Sequence, residues 1–183
     1  MSFRMHGNFI GIWCFFVLLC AAAHAGWAGD LRFESAGARF GLGAEDPVAA
    51  FHQAEAFVEW DLPWQWDLER EFWVQSRLDV SAGWLGDSRR DAGIITTGPV
   101  LVLGYGKFPV SLEGGWSPTL ISEHKFSSRN LGSVYQFSSH IGVNVDILSR
   151  VRIGYRFLHM SNGGFTKANP GLNMHFFGVS YLF

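Results

Sequence analysis

Near the C-terminal end of this 183-residue chain, residues 159–165 read His-Met-Ser-Asn-Gly-Gly-Phe. A histidine two residues before a serine offers a base and a nucleophile. A serine hydroxyl is too basic to ionise unaided at neutral pH, so an imidazole beside it is the usual means of activation. The same residues also read as a plain polar turn, since Ser, Asn and Gly are common turn formers. Seven residues do not decide between the two. The elements that carry them do.

The chain opens as an export signal. Arg4 gives a basic start, residues 9–23 are nearly all apolar, and Ala23-His24-Ala25 has the small-x-small form of a cleavage site. The apolar run falls short of the ~20 residues a spanning helix needs. Removal after Ala25 is expected, leaving a mature domain over 26–183. Both cysteines, Cys14 and Cys20, lie in the signal. The mature chain then has no thiol nucleophile, no thiolate metal site and no disulfide. The net charge of −2 excludes a global basic footprint for nucleic acid.

Composition points to a membrane barrel. There are 8 Trp, 17 Phe and 22 Gly, and charged residues make up 16%, against about 25% in ordinary soluble domains. Period-two alternation is clear in three stretches. Over 52–62, Ala54, Ala56, Val58, Trp60 and Leu62 share a face opposite Gln53, Glu55 and Glu59. Over 72–84, Val74, Leu78 and Val80 alternate with Gln75, Arg77 and Asp79. Over 134–147, Phe137, Ile141 and Val143 alternate with Gln136, His140 and Asn144. Further strands are expected at about 31–42, 93–105, 110–121, 151–161 and 172–183, with a bulge or edge-like spot at Pro99.

These make an all-β fold, an eight-stranded antiparallel transmembrane β-barrel of the bacterial outer membrane. Short turns are expected at Pro63–Asp67, Gly106–Pro109 and Leu148–Arg150, and longer polar loops at Gly86–Ala92 and Ser122–Ser133. With both termini in the periplasm, odd strands run outward. A soluble lipocalin-type barrel would hide its apolar face inside. Here the other face carries mixed charges, which suits a polar plug of paired side chains. Arg152 and Arg156 are expected to pair with Glu55, Glu59 or Asp79. Phe183, in phase with Tyr181, Val179 and Phe177, resembles the terminal strand that the outer-membrane assembly machinery recognises.

In the seventh strand Val151, Ile153, Tyr155 and Phe157 share a face, and the phase runs on to His159 and Ser161. Both polar groups therefore point toward lipid at the outer strand end. Water at the membrane interface would satisfy them with no chemistry at all. As a Ser–His pair they lie close enough for a hydrogen bond after modest adjustment.

Here the chain resembles the PagL-type lipid A 3-O-deacylases, a family of outer-membrane barrels. The resemblance rests on the export signal, the eight strands, His159-Met160-Ser161-Asn162, Asn169-Pro170-Gly171 and the terminal Phe183. It implies that Ser161 is the nucleophile and His159 its general base. Asn162, through its N–H, and the backbone of Gly164 match the oxyanion-stabilising positions. The implied reaction is hydrolysis of an acyl ester of lipid A, a component of lipopolysaccharide, releasing a 3-hydroxy fatty acid. Lipid A and the outer membrane are the implied partners, with a homodimer left open and no cofactor.

The family's third member, a Glu that orients the histidine, is matched by Asn173. No Asp or Glu follows Asp146. Asn173 shares its phase with His175 and Phe177, so it is expected on the lipid face beside His159, orienting it through the amide oxygen as Asn does in papain-like proteases. A Ser–His dyad without an orienter, or an acid from another strand, is the alternative. His175 is the rival base, one pleat deeper. His124 shows no evident partner, and His140 is expected to satisfy interior polar groups. Lys167, in the outer loop, suits a lipid A phosphate. No His, Asp or Glu cluster suggests a metal, and no nucleotide loop is present. Two other classes remain: a non-enzymatic structural or adhesion barrel, and a lipid A acyltransferase that adds acyl mass.

Overall fold

The alternating runs become eight antiparallel strands in a computed structural model that describes residues 31–44 and 51–183. They are β1 (Arg32–Gly43), β2 (His52–Asp67), β3 (Phe72–Gly86), β4 (Asp91–Tyr105), β5 (Val110–Ile121), β6 (Tyr135–Leu148), β7 (Val151–Ser161) and β8 (Leu172–Leu182). Each strand pairs with its neighbour in chain order, and β1 pairs with β8, so the sheet closes. Closure leaves the sheet no open edge, which a hydrocarbon surrounding demands. The expected export signal over 1–25, with Cys14 and Cys20, lies outside the described residues.

The two faces are inverted relative to a soluble barrel. Ile141 is 66% exposed and Phe177 59%, whereas Glu59 is 4% exposed and Asp79 3%. Apolar side chains stand outside and charges inside, as lipid requires. The charges are paired across the lumen. Arg39 from β1 donates to both Asp79 carboxylate oxygens at 2.8 and 3.0 Å. Arg156 from β7 reaches Asp79 at 2.9 Å, Glu59 at 3.0 Å and Glu113. Of the three partners expected from sequence Arg156 meets Glu59 and Asp79 and adds Glu113, while Glu55 pairs with Arg39. Arg152 differs from expectation. It bonds Asp146 at 2.6 Å and Glu34 at 3.4 Å, because Asp146 is its direct cross-strand partner in the β6–β7 register.

The polar plug fills only part of the lumen. Toward the rim where β7 ends, Leu85, Ile121, Leu131, Met160, Met174 and Phe176 join a buried apolar cluster. The inward phase of β7 passes from Arg152 and Arg156 to Met160, and that of β8 from Ser180 back to Met174 and Leu172. His140 does not satisfy interior polar groups as expected. Its Nε2 is buried without a hydrogen-bond partner, 3.8 Å from Glu113 Oε1.

Two connections differ from the sequence expectation. Pro63 does not end β2; the strand absorbs it at a register shift between Asp61 and Gln65 and continues to Asp67. The supposed long loop over Gly86–Ala92 is a tight turn, because Asp87 Oδ1 accepts the Arg89 and Arg90 N–H groups at 2.9 Å each. Within β4, Pro99 makes the edge-like spot and not the bulge of the two expected. The β4–β5 ladder lapses between Thr96 and Val100 and resumes in the same register, which suits a residue with no N–H to give.

Arg156 is the side chain whose removal leaves most charge stranded. Arg156→Ala is expected to destabilise the barrel by about 3–5 kcal/mol, the range for breaking a buried pair by deleting one partner. The drop should appear as a lower urea midpoint for the folded band on unheated gels.

Candidate active site

β7 is fixed from inside and carries chemistry outside. Arg156 and Met160 point into the lumen, and the intervening phase leaves His159 exposed and Ser161 half-buried on the outer face. His159 stands directly opposite Asn173 on β8. The two side chains meet: His159 Nδ1 and Asn173 Oδ1 are 2.7 Å apart. An amide oxygen only accepts, so Nδ1 carries the proton and Nε2 keeps its lone pair. That is the tautomer a general base needs. Ser161, two residues on, shares the face. No Ser161–His159 hydrogen bond closes among the described residues. In sites without substrate such bonds are often open.

On the other side, β6 places Phe137 opposite Ser161 and Ser139 opposite His159. Trp116 stacks on Phe137 with centroids 5.2 Å apart, and Phe165 leans on it at 5.6 Å. The serine therefore sits between an aromatic ledge and the imidazole–amide pair. Sequence phase put Phe137 and Ser139 on the outer face, but only the register shows that they adjoin the pair.

The connection after β7, residues 162–171, is built around Asn162. Its side chain is fully buried, and Nδ2 lies 2.9 Å from Leu131 O, 2.9 Å from Thr166 Oγ1 and 2.7 Å from Ala168 O. Its Oδ1 accepts the Gly164 N–H at 3.0 Å, and its own N–H donates to Asn169 Oδ1 at 3.0 Å. Both N–H groups matched to an oxyanion site are thus engaged within the loop. At the far end Gly171 adopts φ +67°, and a Cβ there would stand 2.9 Å from His159 Cε1. Only glycine fits both demands.

A neighbouring connection, residues 122–134, braces this loop. Asp87 Oδ2 accepts the Ser127 N–H at 2.7 Å and also the Ser127 hydroxyl. Arg129 Nη1 donates to Gly171 O at 2.8 Å. Burial works to raise the Asp87 pKa. The Ser127 hydroxyl and the N–H groups of Arg89, Arg90 and Ser127 outweigh it and hold the carboxyl at about 2, below the usual 3.8.

The remaining candidates fall elsewhere. Lys167 is exposed in the 162–171 loop. His175 lies one pleat from Asn173, opposite Phe157, and its Nδ1 is 2.8 Å from the Tyr155 hydroxyl. That leaves it further along the sheet from Ser161 than His159. His124, expected to lack a partner, has Nδ1 3.1 Å from Asn130 Oδ1. Among the described residues no group of three His, Cys, Asp or Glu is placed to hold a metal. Arg129 and Gly171 had no sequence signal beyond the Asn169-Pro170-Gly171 turn.

A closed eight-stranded barrel with a histidine–amide pair and a serine on its outer face, at one rim, is the layout of a lipid-facing membrane enzyme. The crystal structure of the outer membrane enzyme PagL has this fold. It superposes with a TM-score of 0.69 at 18% identity, covering 80% of this chain and 97% of that one. The model of the lipid A 3-O-deacylase family PagL matches residues 52–182. The chain belongs to that family and is an outer-membrane β-barrel. Lipid A deacylase PagL of Pseudomonas aeruginosa is 24% identical over 138 residues, covering 70% of this chain and 79% of that protein. Its counterpart from Bordetella bronchiseptica is 36% identical over 72 residues, 39% of this chain and 40% of the relative. The matched stretch thus spans under half of the Bordetella protein.

The Asp87 tie generates a pH prediction. Its folded pKa lies below the unfolded value, so the carboxylate's contribution is complete above about 4 and disappears as pH falls through about 2. Amide exchange at Ser127 should therefore accelerate across that window beyond its intrinsic pH dependence. In Asp87→Asn the protection should already be reduced at neutral pH and stay flat through the same window.

Proposed function

We propose that this protein hydrolyses the 3-O-linked acyl ester of lipid A in the outer leaflet, releasing a 3-hydroxy fatty acid, with Ser161 as nucleophile and His159 as general base. One observation carries the reading. The His159–Asn173 bond engages Nδ1 as donor and so leaves Nε2 as the basic nitrogen of the neutral ring, on the same outward face as Ser161. Nε2 takes the Ser161 proton as Oγ attacks the acyl carbonyl. The imidazolium then returns the proton to the departing sugar oxygen, and water repeats the cycle on the acyl-serine.

Asn173 serves as the orienter in place of a carboxylate. Its neutral amide holds the tautomer but adds no charge to stabilise imidazolium. The oxyanion is assigned to the N–H groups of Asn162 and Gly164. Both end on neutral amide oxygens. A full negative charge competes well for such donors, since charge-assisted hydrogen bonds are roughly twice as strong as neutral ones. The Phe137–Trp116 ledge offers apolar surface to an acyl chain, and Lys167 suits a phosphate of the headgroup.

Ser161→Ala and His159→Ala should each abolish fatty-acid release from purified lipid A while leaving the heat-modifiable barrel intact. If both variants fold and still deacylate, the pair is misassigned. Asn173→Ala should lower kcat more than it changes KM, because orientation matters most as charge develops. Asn173→Glu should be at least as active on its plateau. Its carboxylate would stabilise the imidazolium that forms in the transition state, so any gain should appear in kcat. An Asn173→Ala enzyme with parental kcat at every pH would leave a Ser–His dyad.

A further inference from the structure

The His159 ring has support on two sides, and the proposed mechanism uses only one of them. Asn173 holds Nδ1. The other support is Gly171, whose α-carbon lies so close beneath the ring that an added Cβ would stand 2.9 Å from Cε1 and 3.7 Å from Nε2. Gly171 is therefore a wall on the edge of the imidazole that presents Nε2. It is buried, with a φ of +67° that a glycine reaches at no steric cost, so the backbone's own preference does not fix the peptide there.

The constraint comes from outside the loop that contains it. Arg129 donates through Nη1 to the Gly171 carbonyl at 2.8 Å, across 42 residues of sequence. The segment bearing Arg129 is itself anchored. Phe126 N–H bonds Arg129 O at 2.9 Å, Leu131 N–H bonds His124 O at 2.8 Å, and Lys125 bridges Asn130. Asp87 grips Ser127 from the β3–β4 turn. Leu131 O, from the same segment, receives the Asn162 amide at 2.9 Å. The 122–134 connection thus braces both ends of the catalytic loop, at Asn162 and at Gly171.

We infer that Arg129 is a positioning residue for His159, acting through the Gly171 peptide that it clamps against the imidazole. The inference rests on the reading of Ser161 and His159 as the reacting pair. Without the clamp the Gly171 peptide is free to rotate, the ring loses its wall, and Nε2 no longer stays aimed at the serine. Substrate contacts elsewhere on the barrel face are untouched, so the loss should fall on turnover and not on binding.

The test uses the full protein folded in detergent, with lipid A as substrate and 15N-histidine labelling. Arg129→Leu should lower kcat by about 100-fold, the scale of a ~1 Å misplacement, with KM within about twofold of the parent. Arg129→Lys keeps a donor without the planar fork and should recover part of the loss. Gly171→Ala, which crowds the ring directly, should show the same kcat-only defect. The His159 ring nitrogens, identified by their absence in His159→Gln, should report a single Nδ1–H tautomer in the parent and a mixture in Arg129→Leu. A folded Arg129→Leu with parental kcat and one tautomer overturns the positioning role. So does a kcat loss matched by an equal rise in KM with the tautomer unchanged. Ser161→Ala runs alongside. If it stays active, the catalytic reading itself fails; if it is inert while Arg129→Leu is fully active, only the role of Arg129 is lost.

Discussion

Arg156 is the side chain on which much of the molecule turns. From β7 it reaches Glu59 on β2, Asp79 on β3 and Glu113 on β5. Four strands meet at one buried guanidinium. An ion pair in such a place is costly to desolvate and costlier still to break. Its value here is positional. It fixes the inward phase of β7, and a strand whose inner face is fixed has its outer face fixed too, because alternate side chains point opposite ways. His159 stands three residues beyond Arg156 and therefore faces out. The register that joins β7 to β8 then brings Asn173 to the imidazole.

The site is thus supported from two directions by different chemistry. From below, the strand is pinned by charge inside the barrel. From the rim, a braced pair of connections holds the loop through Asn162 and the wall at Gly171. The buried apolar cluster beneath that rim gives these connections something to pack on: Leu131 belongs both to the cluster and to the brace. Rigidity at a rim is unusual, since loops are commonly the mobile part of a fold. Here the loop is tied through its own side chains and backbone, at Asn162, Gly164 and Gly171.

Phase along each strand is written in the sequence, and so the strand count, the inverted faces and the outward aim of His159, Ser161 and Asn173 could be read directly. Register is not written there. That Ser161 adjoins Phe137, or that Arg152 prefers Asp146, depends on how two strands slide against each other. Turn chemistry was only half legible. Asp87 looks like any polar loop residue until its carboxylate is seen capping its own turn and gripping Ser127. The contact between Arg129 and Gly171 spans two connections, and no local pattern announces it. The engagement of the Asn162 and Gly164 N–H groups was equally hidden, because it depends on how the loop folds upon its own side chains.

The filled lumen also bears on the host cell. Around Arg39, Glu59, Asn144 and Arg156 the interior leaves a cavity of about 20 Å³, room for roughly one water molecule. Beyond it the apolar cluster closes the remaining path. Paired charges and packed apolar side chains thus occupy the space that a porin gives to a water channel. What the membrane gains from such a barrel is therefore its outer wall and not its bore. Ser161 and the His159–Asn173 pair, placed on the outer wall, are reached without any opening through the middle.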